Sequence, residues 1–435
     1  MEKGRNGRTA ETRAASSSNG DGRAVKRALM IAALPQGADD DLAELAELLR
    51  TAGVAVVGQE VQHRDQPHPN LYLGPGKVGE VKEQLKRLDA NVVACDDDLT
   101  PRQERNLEKE LGVPVVDRTA VILDIFAAHA NTAEGKLQVE LAQLQYNMAR
   151  MRGLWTHLER LSAAGGGTLT RGPGETQIET DRRLARNRIT ALRRRLEEVK
   201  GARATMRSER ERAHLPQVAI AGYTNAGKST LLNALTGAEV GVRNRLFHTL
   251  DPTTRTTEIA GKRYLLTDTV GFIQKLPHQL VEAFGATLDE TRLADLILHV
   301  VDASADEDKL DEMLRAVDDV LGEIGAGERP RVLVLNKIDA LDPDRRRELS
   351  FRHPDAVQVS AATGEGLDGL RERVQEEFRK TLRSVDLLLP YADGGRLAEL
   401  HEVAGDLERE DTADGVRVRA ELPATVAERF AAYQA

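Results

Sequence analysis

At ~100 to 200 residues per domain, 435 residues predict two to four domains and exclude a single small module. Hydrophobic residues at 40% exclude a wholly disordered chain, and aromatics at 3% exclude a base-stacking platform, so any nucleic-acid contact has to be electrostatic. The net charge of −9 is unevenly spread: Arg171 to Arg212 holds 13 Lys or Arg against 7 Asp or Glu, a basic stretch on an acidic body.

Residues 1–24 are rich in Arg, Ser, Gly and Asn and lack an apolar h-region, so they read as a disordered basic tail and not as a secretory signal. From 25 to 130, the short apolar runs Ala28 to Ala33, Val54 to Val57, Asn91 to Cys95 and Val113 to Val116 alternate with helical patterns such as Val78, Val81, Leu85 and Leu88. That alternation predicts a small parallel α/β domain. The lone Cys95 excludes a disulfide framework and, with ten scattered histidines, a Cys-rich zinc site, which suits a reducing cytoplasm. No apolar run approaches the roughly 18 residues of a membrane span.

Between 131 and 212 the period changes. Leu137, Leu141, Leu144, Met148, Met151, Trp155 and Leu158 step by four and three, as do Ala185, Ile189, Leu192, Leu196 and Val199. The glycine-rich stretch 163–175 lies between them, so two antiparallel helices of about 25 residues, projecting on the order of 40 Å, are expected to flank a non-helical tip. A coiled-coil spacer or a dimerising coiled coil would carry the same periodicity.

Strand and helix alternation returns over 215–382, with Val218 to Ala221, Tyr264 to Thr267, Leu296 to Val301, Val332 to Leu335 and Ala356 to Val359 as strands. The first of these runs into Gly222-Tyr223-Thr224-Asn225-Ala226-Gly227-Lys228-Ser229 and then into a helical segment, the context of a phosphate-binding loop. Its N–H groups would cradle phosphate, Lys228 would meet the β and γ phosphates, and Ser229 would ligate Mg²⁺. Asp268-Thr269-Val270-Gly271 ends the next strand, placing a carboxylate for the Mg²⁺ shell and the Gly271 N–H for the γ-phosphate.

Asn336-Lys337-Ile338-Asp339 fits guanine. Asp339 can accept from both N1–H and the 2-amino group, which adenine lacks, while Asn336 reaches N7 and Lys337 lies along the ring. Ser360-Ala361-Ala362 would add the Ala361 N–H to O6. Each string is common alone. In this order, at carboxyl ends of strands, they imply a domain that binds and hydrolyses GTP, and the set resembles the translation-factor-related class of P-loop GTPases.

Three threonines, Thr249, Thr253 and Thr254, could supply the switch I hydroxyl to Mg²⁺. After Gly271, where many GTPases carry a water-orienting glutamine, Phe272 stands, which implies slow intrinsic hydrolysis awaiting a partner. The last segment, 383–435, reads as a small α+β domain with strands Leu387 to Pro390 and Val416 to Leu422 and no evident chemistry.

Gly172-Pro-Gly-Glu-Thr-Gln177 with Glu179-Thr-Asp-Arg-Arg183 resembles the signature of the HflX family of GTPases, as do Gly135-Lys-Leu-Gln-Val-Glu-Leu-Ala-Gln-Leu144, Asp117-Arg-Thr119 and the Gly222 to Ser229 loop. The likeness spans roughly 25 to 390. It implies an N-terminal α/β part with a helical hairpin, a GTPase domain and a small C-terminal domain. In function it implies binding to the large (50S) ribosomal subunit, GTPase stimulation there, and splitting of stalled or idle 70S ribosomes, notably under stress. By the family's pattern Thr249, within Phe247-His248-Thr249-Leu250-Asp251, is the switch I threonine, and Lys228, Thr249 and Gly271 are the catalytic set. His248 stands where alanine is more usual, and Pro75 interrupts the usual Gly-x-Gly-Lys turn.

The family picture agrees with the charge. Arg171, Arg182, Arg183, Arg186, Arg193 and Arg194 on the hairpin are expected to meet rRNA, with steep salt dependence, in a cytoplasmic monomer. Two further readings are a regulatory GTPase that binds a protein through a dimerising coiled coil, and a nucleotide-dependent RNA remodeller taking ATP at the Gly74-Pro-Gly-Lys77 turn.

Overall fold

In a computed structural model of the chain, the described residues are 26–38, 41–150, 173–212, 215–237, 246–247, 252–275, 285–403 and 407–435. The tail 1–24 and most of the expected tip therefore lie outside them, as do Arg171 and the segment His248 to Asp251. The chain divides into two compact units, Met1–Ile122 and Leu123–Ala435.

In the first unit, β1 (Arg27–Leu34), β2 (Ala55–His63), β3 (Val92–Cys95) and β4 (Val115–Val116) form a parallel sheet in the order β2-β1-β3-β4. α1 (Ala43–Thr51), α2 (Pro75–Arg87) and α3 (Pro101–Leu111) connect the strands. Leu29, Ile31, Val81, Val93 and Leu107 share a core, each wholly or almost wholly shielded from water. Such burial stabilises by about 1.5–3 kcal/mol per side chain.

Asp117-Arg-Thr119, one of the family strings, forms a buried polar staple. Asp117 accepts the N–H groups of Leu99 at 3.3 Å and Ala120 at 2.8 Å. Arg118 pairs with Asp96 at 2.8 Å and with Glu44, and Thr119 donates to Asp98. The Gly74-Pro-Gly-Lys77 turn is the start of α2, with Pro75 in the first turn, where a missing N–H costs nothing. Lys77 is held by Glu60 at 2.5 Å and Glu80 at 3.0 Å, so its charge is neutralised within the protein.

α4 (Arg118–His129) carries the chain from the first unit into the second and is followed by α5 (Ala133–Arg150). The returning arm, α6 (Pro173–Arg212), runs for 40 residues, about 60 Å at ~1.5 Å each. It is longer than the periodicity predicts because it begins inside the stretch 163–175, with Pro173 as a helix-compatible first residue, and continues past the apolar seam to Arg212. Leu141 of α5 packs with Ile189, Leu192 and Leu196 of α6, flanked by Leu137, Leu144 and Met148, while Arg188 donates to Glu140 across the pair at 2.8 Å. The expected continuation through Met151, Trp155 and Leu158 lies outside the described residues.

The larger sheet has the order β10-β9-β8-β5-β7-β6, built from β5 (Gln217–Gly222), β6 (Thr253–Ile259), β7 (Lys262–Asp268), β8 (Leu296–Asp302), β9 (Arg331–Asn336) and β10 (Val357–Gln358). All pairs are parallel except β6 with β7. β6 has no counterpart in the sequence reading. Its residues Thr-Thr-Arg-Thr-Thr-Glu-Ile contain no apolar run, because an edge strand buries little and draws its order from β7. α7 (Lys228–Thr236), α8 (Gly285–Leu293), α9 (Glu307–Glu323), α10 (Pro343–Arg352) and α11 (Leu367–Lys380) accompany the sheet.

The C-terminal part is a three-stranded antiparallel sheet, β11 (Leu382–Leu389), β13 (Gly415–Pro423) and β12 (Leu407–Thr412), with α12 (Gly394–Val403) and α13 (Ala424–Arg429). Charged β12, Leu-Glu-Arg-Glu-Asp-Thr, is again an edge strand without apolar alternation. No helix among the described residues is long and apolar enough to cross a membrane.

Candidate active site

Strand β5 ends at Gly222, whose backbone sits so close to β8 that a Cβ there would lie 2.1 Å from the Val300 carbonyl oxygen. Two residues tie this loop to the segment after β7: Phe272 donates its N–H to the Gly222 carbonyl at 3.1 Å, and Thr224 donates its N–H to the Phe272 carbonyl at 2.8 Å. Asn225 takes a left-handed conformation at φ +60°, which Asn tolerates, and Gly227 one at φ +93° immediately before α7.

The loop's functional side chains converge. Lys228 is buried and donates to the carbonyls of Gly222 at 3.1 Å and Tyr223 at 2.8 Å. Burial lowers its pKa from 10.5 to about 8, partly offset by the Asp268 carboxylate. A phosphate would favour the charged form and draw the ammonium from these carbonyls. Ser229 donates its Oγ hydrogen to Asp268 Oδ2 at 2.5 Å. A hydroxyl and a carboxylate this close form the hard-oxygen donor set that suits Mg²⁺ completed by phosphate and water.

Gly271 has no room for a side chain. A Cβ there would meet Thr224 Cγ2 at 2.8 Å, Thr224 Cα at 2.9 Å and Lys228 Nζ at 3.0 Å. Thr269 and Val270, grouped by the sequence with the nucleotide contacts, are buried, and the Thr269 hydroxyl donates to the Ile220 carbonyl at 2.9 Å. Phe272 is wholly buried, so its ring is core and cannot orient water.

On the base side, Asn336 is a tie as well as a candidate base contact. Its Nδ2 donates to the Ala226 carbonyl at 2.8 Å, and its Oδ1 accepts the Ala361 N–H at 3.0 Å. The N–H expected for the guanine O6 is thus held inside the protein in this structure. Lys337, at φ +67°, reaches Asp302 Oδ2 at 2.6 Å, Ile338 is buried beneath it, and Asp339 is exposed on the short turn Ile338–Ala340. Ser360 is buried, its Oγ accepting the Thr363 N–H at 3.2 Å, and Ala362 is exposed.

Two of the switch I candidates fall in a strand, and one of them has a hydroxyl partner there. Thr253 and Thr254 lie in β6 opposite Asp268 and Thr267, and the Thr254 and Thr267 hydroxyls are 3.0 Å apart. Thr249 lies outside the described residues with His248, Leu250 and Asp251. Phe247, grouped by the sequence with the nucleotide contacts, has its ring buried edge-on against Phe126 of α4, centroids 4.6 Å apart at 73°, with φ +54°. Nothing in the sequence pairs these two phenylalanines, which are 121 positions apart; only the fold brings them together.

A sheet of this order, with a glycine-bounded loop closing on a lysine and a hydroxyl–carboxylate pair, defines the P-loop GTPase class. Residues 217–337 match the family described as 50S ribosome-binding GTPase, 39–127 the GTP-binding GTPase N-terminal family and 129–210 the GTP-binding GTPase Middle Region family. Relatives named GTPase HflX are 45% identical over 405 residues in Lacrimispora saccharolytica, covering 92% of this chain and 94% of theirs, and 46% identical over 389 residues in Escherichia coli K12, covering 87% and 89%. A crystal structure of a GTP-binding protein from Sulfolobus solfataricus in complex with GDP aligns at 27% identity over 81% of this chain and 98% of that one, TM-score 0.41. The chain belongs to the HflX family of GTPases, a GTP-binding, ribosome-associated class, and is a GTP hydrolase.

Proposed function

We propose that this GTPase binds the large ribosomal subunit and, in its GTP form, dissociates stalled or idle 70S ribosomes into subunits. GTP sits on the loop Gly222 to Ser229. Ser229 and Asp268, with Thr249, hold Mg²⁺, which neutralises phosphate charge when bound. Asn336, Lys337, Asp339 and Ser360 to Ala362 select guanine, and Lys228 and the Gly271 N–H engage the transferred phosphoryl group.

The observation that carries the reading is the contact between Phe247 and Phe126. Phe247 lies two residues before Thr249, and α4, which holds Phe126, leads into the hairpin. A change at the γ-phosphate that moves Phe247 would therefore reach α4, which runs on into the hairpin. The hairpin offers a basic surface: Arg183, Arg186, Arg193 and Arg194 are exposed on α6 and Arg182 is half-buried, and among the described residues Arg182, Arg183, Arg186 and Arg193 make no ion pair. Because α5 already fills the apolar seam of α6, the dimerising coiled coil has no support from the packing.

The test is multiple-turnover GTPase with and without 50S subunits for wild type and Asp339→Asn, alongside pelleting with 50S in a nonhydrolysable GTP analogue over a salt series. Stimulation by 50S, a shift of the variant toward xanthosine triphosphate and pelleting that weakens with salt support the reading. Indifference to ribosomal particles with either nucleotide overturns it.

A further inference from the structure

We infer that Asp302 is a positioning residue for the guanine nucleotide: it anchors the ammonium of Lys337 and so fixes the lysine stem as a preformed wall for the base. The inference rests on the guanine-binding reading of Asn336 to Asp339.

Asp302 ends β8, outside the phosphate loop and outside the turn Asn336 to Asp339. Parallel pairing sets it beside Asn336, the last residue of β9, and the Ala303 N–H donates to the Asn336 carbonyl at 2.9 Å. The carboxyl end of β8 is thereby locked to the start of the base-binding turn. The two carboxylate oxygens are used differently. Oδ1 accepts the Ser304 N–H at 3.0 Å and the Ser304 hydroxyl at 2.6 Å, which holds the orientation of the group, and Oδ2 accepts a hydrogen bond from Lys337 Nζ at 2.6 Å. The second is a charge-assisted hydrogen bond, the stronger kind.

Lys337 is held at its other end as well. Its backbone takes a left-handed φ of +67° between two fixed neighbours. Asn336 is tied to the Ala226 carbonyl, and Ile338 is buried and donates its N–H to the Val359 carbonyl at 3.3 Å. A lysine side chain in water samples many rotamers and loses them when it is ordered. With Cα and Nζ both anchored, the methylenes between them have little freedom left. Both anchors belong to the protein, so the order of the stem does not depend on the nucleotide.

The ion pair is only partly shielded, with side-chain exposures of 32% for Lys337 and 21% for Asp302, so its attraction adds little to the stability of the fold. Its effect falls on binding through preorganisation. A lysine released from Asp302 would have to be immobilised by the nucleotide itself. That loss weakens binding of any purine ring lying on the stem and leaves the edge contacts of Asp339 unchanged.

The experiment compares the full chain with Asp302→Asn, Lys337→Met and the double variant, without ribosomes. It measures affinity for GDP and xanthosine diphosphate, steady-state GTPase, and thermal unfolding. Asparagine keeps the acceptor for Ser304 and drops the charge; methionine keeps most of the stem and drops the ammonium. Asp302→Asn is expected to weaken GDP by about 3- to 10-fold, the cost of immobilising one long side chain on binding. KM should rise in step, with kcat within about twofold, the preference for GDP over xanthosine diphosphate kept and the unfolding temperature unmoved. In the Lys337→Met background, adding Asp302→Asn is expected to have no further effect, because the carboxylate acts only through the ammonium. Undiminished GDP affinity in Asp302→Asn, an equal loss from it in the Lys337→Met background, or a fall in kcat at unchanged KM would overturn the assignment. A wild-type protein without preference for GDP over xanthosine diphosphate would instead overturn the guanine reading on which it rests.

Discussion

The ring of Phe247 is buried at a backbone conformation that bulky residues avoid, so its position reflects a balance of terms. A left-handed φ of +54° costs on the order of 1–3 kcal/mol. Burying the ring returns about 1.5–3 kcal/mol, and an edge-to-face arrangement with centroids at 4.6 Å adds about 0.5–1.5 kcal/mol. At mid-range the returns exceed the cost by about 1 kcal/mol, a margin small enough for a bound phosphate to bias the contact as a latch.

A double-mutant cycle isolates the ring–ring contribution, since leucine at either position keeps most of the apolar burial and removes the aromatic pair. Phe126→Leu and Phe247→Leu are expected to couple by about 1 kcal/mol in urea unfolding of the GDP-bound protein, followed by circular dichroism. The Phe126→Leu protein is also expected to keep its GDP affinity while losing stimulation by 50S subunits. Single-mutant effects that add to within about 0.3 kcal/mol, with full 50S stimulation in Phe126→Leu, would refute the latch.

Three further outcomes follow from packing and charge. Gly222→Ala should abolish nucleotide binding in a filter or fluorescent-GDP assay, because its Cβ would lie 2.1 Å from the Val300 carbonyl oxygen and backbone on both sides would have to move. Arg118→Ala should destabilise the N-terminal unit by about 3–5 kcal/mol in urea unfolding, since Asp96 and Glu44 would lose their buried cation. His299, buried in β8, has its pKa lowered from 6.5 to about 4 by desolvation, opposed by Asp318 and reinforced by Arg331. Its neutral form belongs to the folded state, so stability falls as pH drops from about 6.5 to 4, by about 3 kcal/mol in all, and is flat below that window. His299→Leu should flatten this slope in melting temperature against pH.

The sequence alone determined the strand–loop–helix around Lys228, the positions of Asp268 and of Asn336 to Asp339, and the seam of the hairpin. Their signals are local, because a tight loop needs glycine at set spacings and a packed helix repeats its apolar residues. Edge strands β6 and β12 escaped it, since residues such as Arg255 or Glu410 face solvent and owe their strand conformation to the hairpin partner that follows, β7 or β13, and not to an apolar pattern of their own. Only the tertiary structure decided that Asn336 ties Ala226 to Ala361, that Thr254 is spoken for by Thr267, that Thr224 packs its methyl against Gly271, and that Phe247 meets Phe126. Each of these joins residues distant in sequence, and the free energy of such a contact depends on separations of a few ångströms that no periodicity or motif encodes.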